Sequence, residues 1–356
     1  MNKFFKRLCI FGSLLALLVL AACGGGDKGA DEASGNADEE AATSFPEKDI
    51  NGIIQWGEGG ATDIISRSLA AIAEEEIGAS LVMQNKTGAT GAIGAQYVYD
   101  QPADGYTLLF GAENPNLYQL LGISERDYVN DFVPVSIIGQ SYAGIVVNKD
   151  SEFDTLEDLV DYANENPGKL VMGTSGEGGL PHVASAMLKS ELGTDFNLIP
   201  YDGDGPLAVA LLGDEIDVTV LAVSAAQEYV DSGDFKMLAV LNNSSLDSIP
   251  DVPPITDIYP DFDQYLPWGP FQGVFAHKDT PKEVVQKLSD AFEAAQNDEE
   301  FIEKLTSLGV DPLNLHGEEA EEFVKANQST STWMLYDAGE TETSPEELGI
   351  PKVGEN

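Results

Sequence analysis

Two glycine-rich runs hold the chemistry that this chain offers. Gly57-Glu58-Gly59-Gly60 and Gly173-Thr174-Ser175-Gly176-Glu177-Gly178-Gly179 each follow a short apolar run and precede a helical pattern. Such a turn leaves backbone N–H groups aimed at open space beside a helix start, where roughly half a positive charge collects. It suits a small anion and brings no nucleophile, base or metal ligand with it. Gly59, Gly60, Ala61, Gly176 and Gly178 supply backbone, and Thr62, Thr174 and Ser175 add hydroxyl donors. Asp63 follows the first run and is read as a helix cap. His182 opens the second helix, either as a ligand donor or as a local cap. Trp56 and Trp268 are walls for a bound molecule or core packing.

The elements that must position these residues follow from apolar spacing. A strand is expected over 53–56, broken by the first glycine run. Ile65, Leu69, Ile72 and Ala73 then recur at helical spacing, capped by Thr62 or Asp63. Strands follow over 81–84 and 107–110, with a short helix over 93–99 between them. A second unit repeats the plan. Strands are expected over 135–138, 145–147, 170–172, 196–199 and 217–221. Thr155 with Asp158 predicts a capping box for a helix over 156–163, and Pro181 fits a helix's first turn. Pro206 opens a further helix. A strand over 273–276 leads back, and helices follow from Pro281, near Phe301 and up to Trp333. The end from Asp337 is polar and expected to be loose. Strands alternating with helices predict an α/β chain with parallel, helix-covered sheets.

The N-terminus sets the compartment. Lys3, Lys6 and Arg7 precede a short apolar run over 8–20, closed by Leu20-Ala21-Ala22-Cys23. The run is too short for a comfortable membrane span, so 1–22 reads as a signal peptide. Residues 23–44 are small, polar and acidic, which predicts a flexible tether. Cys9 leaves with the leader, so a folded part beginning near Phe45 has no thiol for a disulfide, a nucleophile or a thiolate metal site.

Charge narrows the partners. The chain has 18 basic and 61 acidic residues, or −43, and without Lys3, Lys6 and Arg7 the balance is −46. Nucleic acid is excluded, because its binding needs Lys and Arg to displace counterions. The acidity reads as a solubility device, suited also to salty surroundings. Only Arg67 and Arg126 remain after export, so no carboxylate clamp of several bidentate arginines can form. His182, His277 and His316 are scattered, and the sequence holds no H-E-x-x-H, phosphate-loop or G-x-S-x-G pattern, so a hydrolase ranks well below a binding protein.

With these residues in view, the chain resembles a solute-binding lipoprotein of the tripartite tricarboxylate transporter family, also called the Bug family. Gly59-Gly60-Ala61-Thr62-Asp63 with Arg67 is similar to its first ligand loop and helix. Asn85-Lys86-Thr87-Gly88-Ala89-Thr90-Gly91 and Asp104-Gly105-Tyr106-Thr107-Leu108-Leu109 resemble two further family segments, with Thr87 in place of a proline. Gly173-Thr174-Ser175-Gly176 through His182 resembles the second ligand loop, and Trp268-Gly269 a third. Leu20-Ala21-Ala22-Cys23 resembles a lipobox, which implies lipidation of Cys23.

The resemblance implies a two-lobed fold like periplasmic binding proteins (type II), with the ligand cleft between the lobes and two crossovers, near 147–149 and 270–274. The expected lobes are 45–147 with 274–336, and 148–273, with a polar tail over 337–356. It implies a monomer that holds a small organic carboxylate, with no cofactor and no metal. The monomer would pass that ligand to integral membrane subunits from the outer face of the bacterial cytoplasmic membrane, or on the periplasmic side. Glu58 and Glu177 depart from the pattern. They face solvent, or they meet the ammonium of an amine-bearing ligand such as an amino acid. A solute-sensing lipoprotein on the same fold is the remaining alternative.

Overall fold

The computed structural model describes residues 44–266 and 268–352. The leader, Cys23 and nearly all of the tether lie outside those residues. The chain first builds β1 (Ile50–Ile54), α1 (Ala61–Ile77), β2 (Leu81–Asn85), α2 (Ala92–Tyr99) and β3 (Thr107–Ala112). It continues through β4 (Phe132–Ser141), β5 (Ala143–Asn148), α3 (Leu156–Glu165), β6 (Val171–Thr174) and α4 (Leu180–Leu192). Next come β7 (Asn197–Pro200), α5 (Asp204–Leu212), β8 (Val218–Ala222), α6 (Val223–Asp231) and β9 (Phe235–Val240). It closes with β10 (Phe271–His277), α7 (Lys282–Gln296), α8 (Glu299–Ser307), β11 (Val310–Leu315) and α9 (Gly317–Asp337).

The strands form two sheets, ordered β11-β4-β10-β3-β1-β2 and β7-β6-β8-β5-β9. Helices cover both faces of each, so the central strands are buried on both sides while the edge strands β2, β7 and β11 are partly or wholly exposed. In β3, Leu108 and Phe110 enter one core while Leu109 enters the other, the period-2 pleat read directly. The α/β, two-lobed architecture is as expected. The sheets, however, are mixed rather than parallel. β10 runs antiparallel to β3 and β4, and β5 antiparallel to β8 and β9. β5 and β10 each follow a crossing between lobes, so no helix reverses them, and β11 adds antiparallel to β4 at the sheet's edge.

Three further corrections concern the layout. β5 pairs inside the second sheet, so the first crossover is at Tyr142, between β4 and β5, and not at 147–149. The return falls within the expected 270–274 but is complete by Phe271, which already pairs with Gln140, so the first lobe resumes before residue 274. The tail beyond Asp337 is also packed. Trp333 Nε1 donates to Ile350 O at 3.2 Å, Thr341 Oγ1 donates to Leu120 O at 3.3 Å, and Ile350 is buried. Its few apolar residues dock on α9, which its polar composition concealed. α9 itself serves both lobes, with Ala320 and Val324 in one core and Met334 and Leu335 in the other. Among the described residues no helix is long and apolar enough to cross a membrane.

Candidate functional site

The site lies where the carboxyl ends of parallel strands face each other across the lobes, the edge at which open α/β sheets receive ligands. From the first lobe comes the loop between β1 and α1. Gly59 adopts φ +79°, a left-handed conformation, and Gly60 is the N-cap of α1. The helix therefore begins at Ala61, one or more residues before the expected caps. Neither Thr62 nor Asp63 caps its end; Thr62 is in the first turn with its side chain buried beside the cleft.

Asp63 instead ties the loop down from behind. Its Oδ2 accepts from Gly59 N at 3.1 Å, and its Oδ1 accepts from Arg67 Nε at 2.8 Å and Asn85 Nδ2 at 2.9 Å. Asn85 Nδ2 also donates to Trp56 O at 2.8 Å. These bonds hold the loop before Ala61 in place, and they consume the acceptor capacity of Asp63.

The second lobe supplies the loop between β6 and α4. Gly176 and Gly178 both have positive φ, and Gly179 is the N-cap of α4. Thr174 Oγ1 accepts from Gly176 N at 3.2 Å, and His182 Nδ1 accepts from Gly178 N at 3.1 Å. Burial lowers the pKa of His182, which favours the neutral ring that this acceptor role needs. His182 thus acts as a local cap. A third helix start, unforeseen, joins them: Gly203 at φ +105° is the N-cap of α5, whose first residue is Asp204.

Between these loops is a cavity of about 30 Å³, a space on the scale of one or two water molecules. Of the sequence-selected residues, Trp56, Gly60, Ala61, Thr62 and Ser175 line it. Gly59, Asp63, Thr174, Gly176, Gly178 and His182 shape its walls from behind. Trp268 is elsewhere: its ring is in the second lobe's core, and its Nε1 donates to Ser331 Oγ at 3.3 Å. Core packing was the reading that applied there. Glu58 and Glu177 are both exposed.

The acids that do line the cavity are Glu113 and Asp204, one from each lobe, alongside Asn114 and Gln272. Among the described residues lining it there is no Lys, Arg or His. Burial pushes the Glu113 carboxyl up to about 7, and the negative charge of Asp204 adds to that; backbone N–H groups of Glu113 and Phe271 and the Asn114 side chain pull it down. Burial likewise pushes Asp204 up to about 6, against hydrogen bonds from the backbone of Ala222 and Ala61. Asn114 Oδ1 accepts from Gln55 Nε2 and Trp56 Nε1, each at 3.2 Å. Its Nδ2 donates to Gly178 O across the cleft at 2.9 Å.

Glycines let the lobes meet. A Cβ on Gly57 would stand 2.8 Å from Asp202 O, and one on Gly205 would stand 2.7 Å from Glu58 O. One on Gly176 would meet Thr90 Oγ1 at 2.6 Å. These are contacts between lobes, and side chains there would prop them apart.

Comparison with known proteins settles the family. Residues 65–338 match the model described as "Tripartite tricarboxylate transporter family receptor". The chain belongs to this family. Within the family, a UPF0065 protein of Bordetella pertussis is 30% identical over 84% of this chain and 92% of its own length. The protein BugT of the same organism is 28% identical over 82% of this chain and 89% of its own. Among solved structures, the periplasmic binding protein BugD aligns with TM-score 0.78 at 27% identity, over 83% of this chain and 99% of that one. A Rhodopseudomonas palustris protein determined with adipate aligns with TM-score 0.75 at 26% identity, over 83% of this chain and 98% of that one. The chain is thus a solute receptor of the tripartite tricarboxylate transporter family, with a periplasmic-binding-protein fold.

Proposed function

We propose that this receptor captures a small organic carboxylate between the loops at Gly60 and Ser175 and presents it to the integral membrane subunits of its transporter. One observation carries the reading. The Ala61 N–H at the start of α1 already serves a carboxylate, that of Asp204, so this helix start accepts such a group in its own geometry. The adipate bound by the Rhodopseudomonas palustris relative supports the same class. The export leader, the lipid on Cys23 and the 23–44 tether complete the reading: a monomeric receptor held at the outer membrane face, able to meet its transporter without entering the bilayer.

A second reading has its own observation. Two acids and no cation line the cavity, which favours a ligand that also bears an amine. The ammonium would then meet Glu113 or Asp204, and not the exposed Glu58 or Glu177. Thermal melting against carboxylates, amino acids and neutral solutes separates the readings. A ligand at a thousandfold excess over its Kd adds about 4 kcal/mol, a shift of several degrees. A shift with dicarboxylates supports the first reading, and one confined to amine-bearing acids moves the assignment to the second. No shift with any acid removes both.

A further inference from the structure

Glu113 is a buried acid with an oxygen to spare. The residue is 4% exposed and its Oε1 accepts from Asn114 Nδ2 at 3.3 Å, while its Oε2 has no hydrogen-bond partner. The same network ends at its other side in Gln55, whose Nε2 donates to Asn114 Oδ1 and whose Oε1 also lacks a partner. Backbone N–H groups of Glu113 and Phe271 lie near the Glu113 carboxyl, but Glu113 Oε2 and Gln55 Oε1, at the two ends of the chain Gln55–Asn114–Glu113, have no donor in hydrogen-bond geometry. The network is short of hydrogens.

The groups around Glu113 sharpen this. Asp204 faces it from the other lobe, and Tyr118 and Tyr128 face it from its own. Burial holds both phenols well above their usual pKa, so they stay neutral, and the described lining has no Lys, Arg or His to balance a charge. A ligand carboxylate that enters here becomes a third negative group in a water-poor space. Like charges confined together do not all remain ionised, and the cheapest relief is a proton on the most buried acid.

We propose that the receptor binds its anionic ligand together with one proton, which Glu113 carries on Oε2 and donates as a hydrogen bond to the ligand carboxylate. This rests on the carboxylate reading above. The step is simple in balance. Solvent supplies the proton as the lobes close, the Glu113 carboxylate becomes a carboxyl, and no bond to the ligand is made or broken. Opening returns the proton to solvent. A buried acid kept neutral so that it can donate is a known way to hold an oxyanion. The receptor would then favour carboxylate over a neutral amide at that end, and bind more tightly as pH falls.

The test is calorimetry of the full chain with malate, succinate and adipate at about pH 7.5, in buffers of low and high ionisation enthalpy. The expected result is a binding enthalpy that varies linearly with buffer, with a slope of about one proton taken up per ligand. In Glu113→Gln the slope falls to near zero in whatever binding remains, because the amide cannot take up the proton. Binding without proton uptake in the wild-type chain overturns the inference and leaves the carboxylate reading standing. A slope retained in Glu113→Gln overturns the assignment to this residue. No binding of any of the acids, by heat in either buffer or by thermal shift, removes the carboxylate reading and this inference with it. The wild-type slope needs no variant to fold.

Discussion

Replacing Gly57 or Gly205 by alanine should separate closure of the lobes from their stability. Neither glycine has a left-handed φ, so alanine fits the local backbone at both positions. The obstacle is on the other lobe. A Cβ would stand 2.8 Å from Asp202 O or 2.7 Å from Glu58 O, whereas an ordinary contact begins near 3.4 Å. The lobes must therefore part by about 0.6 Å at this point. That movement lengthens the Asn114 Nδ2–Gly178 O bond, now 2.9 Å, and the bond from Ala61 to Asp204 by a smaller amount, since both lie inside the rim. One neutral and one charge-assisted bond weakened amount to about 1–2 kcal/mol, or roughly a 5- to 30-fold weaker ligand. Melting temperature should separate the two variants. Gly205 is the second residue of α5, where alanine's helix preference returns at most about 1 kcal/mol, so Gly205→Ala should melt less far below wild type than Gly57→Ala. The double variant should lose less than the sum, since both changes block one closure. Titration calorimetry with the best ligand of the thermal screen, beside melting curves, reads both quantities. Unchanged affinity in both variants would refute the view that the ligand is held in this closed arrangement.

Three further outcomes are expected. Asp63→Ala should lower stability by about 2–4 kcal/mol, since it frees Gly59, Arg67 and Asn85 together, and Arg67 recovers part of that in water; an unchanged melting temperature would contradict the assigned role behind the loop. Thr155→Ala should cost about 1 kcal/mol through loss of the capping box with Asp158, read by denaturant titration. The pKa values of Glu113 and Asp204 are raised in the fold, to about 7 and about 6. Their contribution is therefore complete below their unfolded values and is lost as pH rises through the folded ones. Melting temperature should fall from acid to mildly alkaline pH, more steeply in wild type than in Glu113→Gln, whose slope retains the general charge repulsion; equal slopes would show that Glu113 does not titrate in the closed cleft.

Much of the scaffold was legible because its signals are local. Thr155 and Asp158 mark a helix start three residues apart, Pro281 precedes α7, and the apolar runs of β1, β3 and β6 stand between glycine breaks. β11 was missed because Pro312 and exposed positions give an edge strand no apolar run. α6 was missed because it follows β8 without a glycine or proline to divide them. The cavity lining divided along the same line. The glycine loops point to Gly60, Ala61, Thr62 and Ser175 in it, whereas nothing in the sequence marked Glu113, Asn114 and Asp204. One acid among 61 has no signal of its own, and Asn114 meets Gly178 across 64 positions of sequence. One rule could have found Glu113: ligand groups gather at the carboxyl ends of parallel strands, and Glu113 directly follows β3.

The way the lobes can open is constrained by how they are joined. The two crossovers run side by side, with Ser141 N donating to Pro270 O at 2.7 Å and Ser141 Oγ to Gln272 Oε1 at 3.3 Å. A Cβ on Gly269 would be 2.2 Å from Ser141 O, so the backbones touch here and only glycine fits. Such a pair bends but does not slide. α9 is a third link, packed on the first lobe at Val324 and on the second at Leu335. Asn116 Nδ2 donates to Asn327 Oδ1 on this helix at 2.9 Å, only two residues from Asn114 in the cleft. Rotation about the crossovers must therefore roll one lobe against α9, and the largest displacement falls at the far rim, where Gly57 meets Asp202. The rim glycines and the cleft acids thus oppose each other. The glycines let the backbones close to contact, while Glu113 and Asp204 resist closure until a proton or a donor from the ligand relieves them. Under the proposal above, an occupant that settles that charge holds the lobes together more tightly than they meet alone.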